Sequence, residues 1–161
     1  MKILTISDSH GNIVRLKHTI GYATQANLDA IIHCGDWGTK DAADAMKGVK
    51  IPVYGVLGNA DYDPRIATSL RKAKVKFNDD FLKLELGGRQ IGICHFPGKL
   101  KNALKSQEYD VLFHGHTHRK KNEKHGKTIL VNPGALQKAD IPSFAVYDTE
   151  KNKVEFVDVA I

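Results

Sequence analysis

Cysteine is scarce, with only Cys34 and Cys94 in 161 residues, each ending an apolar run. Two such thiols argue against a disulfide framework and for packing in a core. Aromatic residues make up only 7%, with a single tryptophan. None of them interleave with the basic residues, as a stacking platform for single-stranded nucleic acid requires. No stretch approaches the length of a membrane span. The start, Lys2–Ser7, reads as a strand rather than the long apolar segment of a signal peptide. Repeats, low-complexity tracts and linkers are also missing. The expectation is one domain over residues 1–161, acting in the cytoplasm without a membrane partner.

Basic residues outnumber acidic ones, 24 Lys and Arg against 18 Asp and Glu, for a net charge of +6. The excess gathers in Arg71–Lys74, Lys99–Lys105 and Arg119–Lys121. Such runs read as solvated faces before they read as a nucleic-acid surface. The charge is compatible with a phosphate substrate, leaves nucleic acid possible, and leaves a homo-oligomer open.

The first half alternates strand-like and helix-like pieces. Lys2–Ser7 is followed by a helix to about Ala26, with Asn12 as N-cap. Ala30–Cys34 and Pro52–Leu57 read as strands, and Asp41–Lys47 and Pro64–Lys72 as helices. That order implies βαβ units and a parallel sheet. In the second half Phe81–Leu86 and Arg89–Cys94 form a hairpin turned at Gly87-Gly88. Lys99–Gln107 reads as a short basic helix and Val111–His114 as a strand, and Lys127–Asn132 precedes a Pro133-Gly134 turn. Phe144–Asp148 and Val154–Val159 make a last hairpin, turned at Glu150–Asn152. Antiparallel pairing is therefore expected late.

Five of these runs end in residues that bind metals. Lys2–Ser7 leads to Asp8 and His10, Ala30–Cys34 to Asp36, and Pro52–Leu57 to Asn59. Arg89–Cys94 leads to His95, and Val111–Phe113 to His116 and His118. Ligands in open α/β sheets lie beyond the carboxyl ends of strands, so these seven side chains can meet at one edge. If the chain after Phe113 stays extended, His116 and His118 share a face. Two carboxylates, four imidazoles and one amide oxygen suit Mn, Fe, Co, Ni or Zn better than Mg or Ca. Seven ligands exceed one shell and predict two divalent transition-metal ions per chain, the arrangement that clamps both oxygens of a displacement at phosphorus.

Asp8-x-His10, Gly35-Asp36, Gly58-Asn59, His95 and Gly115-His116-x-His118 resemble, in identity and order, the motifs of the calcineurin-like metallophosphoesterases. The short chain and its Asp-Ser-His-Gly start are similar to the small bacterial and archaeal phosphodiesterase branch. The resemblance implies a four-layer α/β/β/α sandwich with two mixed β-sheets and a metal-dependent phosphodiesterase acting on a small phosphodiester. It implies that Asp8, His10, Asp36 and His118 hold one ion, and that Asp36 bridges to a second held by Asn59, His95 and His116. A metal-bridging hydroxide would attack phosphorus, with Asn59, His95 and His116 helping to hold the phosphate. A second reading is a protein-interaction scaffold on the same fold, as in the retromer subunit of vacuolar sorting.

Two positions depart from the family pattern. Ala60 stands where many members carry a proton-donating histidine, which leaves the role of Asp61 open. His95-Phe96-Pro97 replaces a frequent His-Gly-His, so the wall beside the ligand is apolar. Other residues get plainer expectations. His18 is read as solvated, His125 as part of a late loop, and His33 as packed or hydrogen-bonded. His114 is expected to share a face with His116, Arg119 to lie near a phosphate or in solvent, and Trp37 and Tyr62 to line the pocket or pack.

Overall fold

The computed structural model describes residues 1–160. Its strands are β1 (Lys2–Ile6), β2 (Ala30–His33), β3 (Val53–Val56), β4 (Lys76–Asn78), β5 (Phe81–Leu86), β6 (Arg89–Cys94), β7 (Val111–Phe113), β8 (Lys121–His125), β9 (Thr128–Asn132), β10 (Ser143–Asp148) and β11 (Lys153–Asp158). The helices are α1 (Ile13–Gln25), α2 (Lys40–Asp44), α3 (Pro64–Lys72) and α4 (Lys101–Ser106), the last preceded by a 3-10 turn at Pro97–Leu100.

Two mixed sheets result. One has the order β11-β10-β1-β2-β3-β4 and the other β5-β6-β7-β9-β8. Strands β1 to β4 run parallel in the first sheet, and β6, β7 and β9 in the second. The strand sequences alternate between two apolar faces, because both faces are covered. Ile3, Ile32, Val56, Ile91, Ile93, Val111, Phe113 and Val131 pack between the sheets. Leu4, Ile6 and Ile31 turn outward onto α1 to α3, which answer with Leu16, Ala42, Ile66 and Leu70. Leu112 and Leu130 turn outward on the second sheet, against Leu100 and Leu104. Three buried clusters thus separate four layers, α/β/β/α.

Local signals explain the helices. The Asn12 side chain accepts from Arg15 N–H, the Thr39 hydroxyl from Ala42 N–H, and Asp63 from Arg65 N–H with Pro64 in the first turn. Several boundaries differ from the sequence reading. α2 stops at Asp44, three residues short of Lys47, and the basic helix begins as a 3-10 turn at Pro97. β4 and β8 are additional sheet-edge strands. β8 is mostly exposed and wholly polar, so it carries no hydrophobic period, and His125 ends it rather than lying in a loop. Trp37 is wholly buried against the helices, its ring stacked on His33 and its N–H donating to Val56 carbonyl, so it lines no pocket. Among the described residues no helix is long and apolar enough to cross a membrane.

Candidate metal centre

The carboxyl ends of β1, β2, β3, β6 and β7 lie along one edge, and backbone bonds join the loops that follow them. Asp8 N–H donates to Gly35 carbonyl, His10 N–H to Asp36 carbonyl, and Gly115 N–H to His95 carbonyl. Across the sheets His116 N–H donates to Asp8 Oδ2 at 3.1 Å. Asp8, His10, Asp36, His116 and His118 all adopt left-handed backbone angles, with φ between 43° and 70°. Asp and His tolerate that region better than most side chains, but it still costs energy, and here it curls each loop around the edge.

All seven candidate side chains converge. His118 Nε2 lies 3.2 Å from Asp8 Oδ1 and 3.2 Å from His10 Nε2. His10 Nε2 lies 3.6 Å from Asp36 Oδ2, which is 3.4 Å from His95 Nε2. Asn59 Oδ1 is 3.1 Å from both His95 Nε2 and His116 Nδ1. The two histidines of the Gly-His-Thr-His stretch therefore part company, His118 toward Asp8 and His116 toward Asn59. The extended segment expected after Phe113 is instead a bend, so alternation does not set their direction.

The donor set fits divalent cations on three counts. Two atoms bound to one ion at about 2.0–2.2 Å lie roughly 3.0–3.5 Å apart, close to these spacings. Asp8 Oδ1 is buried with no hydrogen-bond partner, a costly arrangement unless a cation meets it. The far sides of two rings fix their tautomers, because a carbonyl can only accept. His95 Nδ1 donates to Cys34 carbonyl at 2.8 Å and His118 Nδ1 to Lys138 carbonyl at 3.1 Å, which turns both Nε2 atoms inward, where they could meet a cation. The ionisation follows the same charges. Burial raises the Asp8 pKa above the usual carboxylate value. Burial also acts upward on Asp36, but His95, when its ring is protonated, and the Ala60 N–H outweigh it and hold the group below that value. Burial lowers His95, yet neighbouring Asp36 prevails and keeps its pKa above that of free imidazole.

Asp61 acquires a definite role here. Its Oδ2 accepts from Asp36 N–H at 2.9 Å and Gly58 N–H at 2.8 Å, and its Oδ1 accepts from Gly38 N–H at 2.8 Å. One carboxylate thus ties the loop after β2 to the loop after β3. Burial lifts its pKa to about 6 against those backbone bonds. Asp61→Ala would leave three N–H groups without that partner. The expected cost is about 2–4 kcal/mol in urea unfolding of the metal-free chain, with weaker metal binding. Asp61→Asn, which keeps one acceptor oxygen, should lose less.

The remaining histidines are structural or solvated. His33 is buried between Ser9 Oγ at 3.0 Å and Gly35 N–H, and burial drives its pKa to about 3. His114 does not share a face with His116. It is buried beneath the turn, with Nδ1 donating to Gly115 carbonyl at 3.0 Å. His18 and Arg119 are exposed, and Tyr62 stands almost free in solvent. The Ser7 hydroxyl, which donates to Asp8 Oδ2, and the Cys34 and Lys138 carbonyls escaped the sequence reading. A backbone carbonyl leaves no trace in residue identity.

Comparison with known proteins places this geometry among relatives. The family model described as calcineurin-like phosphoesterase superfamily domain matches residues 1–152. A phosphodiesterase of Methanocaldococcus jannaschii is 28% identical over 159 residues, covering 95% of this chain and 96% of its own. A chain of Bacillus subtilis named a probable metallophosphoesterase is 30% identical over 175 residues, covering 99% of this chain and 92% of its own. Among solved structures, an archaeal phosphodiesterase superposes with a TM-score of 0.90 at 27% identity, over 99% of this chain and 100% of that one.

Proposed function

Because the chain belongs to the calcineurin-like phosphoesterase superfamily, we propose that it is a metal-dependent phosphodiesterase whose single domain spans residues 1–161. Asp8, His10, Asp36 and His118 would hold one divalent transition-metal ion. Asp36, Asn59, His95 and His116 would hold a second, with Asp36 shared. The observation that carries this is the convergence of all seven side chains at ligand spacing from the ends of five strands. A scaffold on the same fold has no need of that convergence. When bound, such ions supply hydroxide from water at neutral pH and offset charge on the phosphoryl oxygens.

The chain itself supplies position and charge. The Asp36 carboxylate is held by Ala60 N–H at 2.7 Å, so its free oxygen is fixed between the two ligand groups. Asn59 and His116 are exposed, which leaves the second group open to an incoming phosphate. Ala60 cannot donate a proton, so a leaving oxygen gains none from that position. Diesters with good leaving groups are therefore favoured, since general acid help is worth ~10²–10⁴-fold. The basic runs are partly neutralised by Lys99–Asp80, Lys120–Asp158 and Lys121–Glu123 pairs. That supports a small phosphodiester over a nucleic-acid track.

The test is to strip the protein of metal, titrate Mn or Ni, and follow bound ions together with diester hydrolysis. Two ions per chain should bind, with an aryl diester cleaved at least ~10²-fold faster than an alkyl one. One ion at saturation would overturn the dinuclear reading. Two ions without hydrolysis of any diester would favour the scaffold.

A further inference from the structure

Phe96 is the side chain at this edge that neither the ligand set nor the core accounts for. Its ring stands edge-on to His95, with centroids 4.9 Å apart at 80°, and tilted on His116, also at 4.9 Å. It thus borders two of the side chains assigned to the second ion, yet it remains half exposed. Its backbone is extended, with φ −91° and ψ 117°, the conformation that the following Pro97 favours. Its carbonyl accepts from Cys94 Sγ at 3.4 Å and from Lys99 N–H at 3.2 Å. The Lys99 ammonium lies 5.4 Å from the ring centroid and is itself held by Asp80 at 2.6 Å. The ring is therefore fixed from several sides and apolar where the neighbouring groups are polar.

A phosphate held at Asn59 and His116 must send its ester arms outward, since the opposite side is filled by buried His95 and Asp36. One arm then lies within reach of a ring that abuts His116. We propose that Phe96 is a specificity-determining residue of this site, forming the wall against which a flat aromatic non-leaving arm packs, so that the substrate class is phosphodiesters whose retained arm is aryl or bears a nucleobase. The inference rests on the phosphodiesterase reading above. Stacked or edge-on aromatic contact adds favourable energy beyond area burial, and a methyl arm has too little surface to gain it. The contact is made in ground and transition states alike, so it acts mainly through KM.

The experiment compares phenyl 4-nitrophenyl phosphate with methyl 4-nitrophenyl phosphate, which share one leaving group, in the metal-loaded wild type, Phe96→Ala and Phe96→Tyr. In the wild type kcat/KM should favour the phenyl diester about tenfold. In Phe96→Ala that ratio should fall to near one through a rise in KM for the phenyl diester, at unchanged metal content. Phe96→Tyr should restore it. An unchanged ratio in Phe96→Ala would overturn the proposal and leave the ring as packing around His95 and His116. Should neither diester be cleaved by wild type with both ions bound, the phosphodiesterase reading fails. Calorimetric binding of phenylphosphonate and methylphosphonate then decides Phe96 separately. A preference for phenyl that Phe96→Ala abolishes keeps the wall, and equal affinities remove it.

Discussion

Asp36→Asn is expected to lower bound metal from two ions to one or none and to reduce kcat on an aryl diester by at least ~10³-fold. The substitution preserves shape but removes the negative charge fixed nearest both ligand groups. Asp36 Oδ2 lies 3.6 Å from His10 Nε2 and 3.4 Å from His95 Nε2, so its charge faces both groups. Its second oxygen is already engaged by Ala60 N–H. The amide must either lose that bond or point an NH2 group at the ring nitrogens and repel a cation. Metal analysis, turnover and circular dichroism on one preparation separate loss of the ions from loss of the fold. Full occupancy with wild-type turnover would show that Asp36 does not bridge.

The next largest effect should come from one methyl group far smaller than any ligand. At Gly115 an added Cβ would meet Ser7 Oγ at 2.0 Å, Asp8 Oδ2 at 2.6 Å and Cys34 carbonyl at 3.2 Å. At Gly58 it would meet Asp36 Oδ1 at 2.2 Å and Asp36 N at 2.6 Å. Both clashes fall on atoms that cannot swing aside, since each carboxylate is pinned by hydrogen bonds. Gly115→Ala and Gly58→Ala should each cost about 1–3 kcal/mol of metal-free stability and displace Asp8 or Asp36, respectively. Metal affinity should fall by at least tenfold, read by titration against a chelator. Gly21→Ala is the control. It lies in α1 with nothing within 4 Å of its Cβ, and it should stabilise by about 0.5–1 kcal/mol. Equal metal affinity in all three variants would refute the steric account.

These glycines also show what a reader of the sequence could see. Gly-Asp, Gly-Asn and Gly-His were visible as pairs, and their strand-end positions located the site edge. The α1 cap at Asn12, the Pro64 helix start and the Gly87-Gly88 hairpin were legible because each rests on a local rule. β8 was not, because an edge strand of polar residues has no buried face to imprint a pattern. His116 and His118 were placed at the right edge for an incomplete reason. Their spacing suggested a shared face, whereas left-handed backbone turns send them to different partners. Asp61 was visible as a residue but not as a tie between loops, since its partners are backbone N–H groups, two of them in the distant loop after β2. Trp37 illustrates the converse, an aromatic near the site by sequence that faces away from it in space.

The ligand set is divided between the sheets, with Asp8, His10, Asp36 and Asn59 borne by the first and His95, His116 and His118 by the second. In the proposed assignment neither sheet would complete either ion's shell alone. Assembly of the centre therefore waits until the two sheets have closed over their shared core, late on the folding route and after most long-range loop closure. Contacts formed after the transition state leave the folding rate almost untouched and slow unfolding instead. Ions bound there would act as a latch on the lifetime of the fold, lengthening the interval between openings without hastening the search that first brings the sheets together.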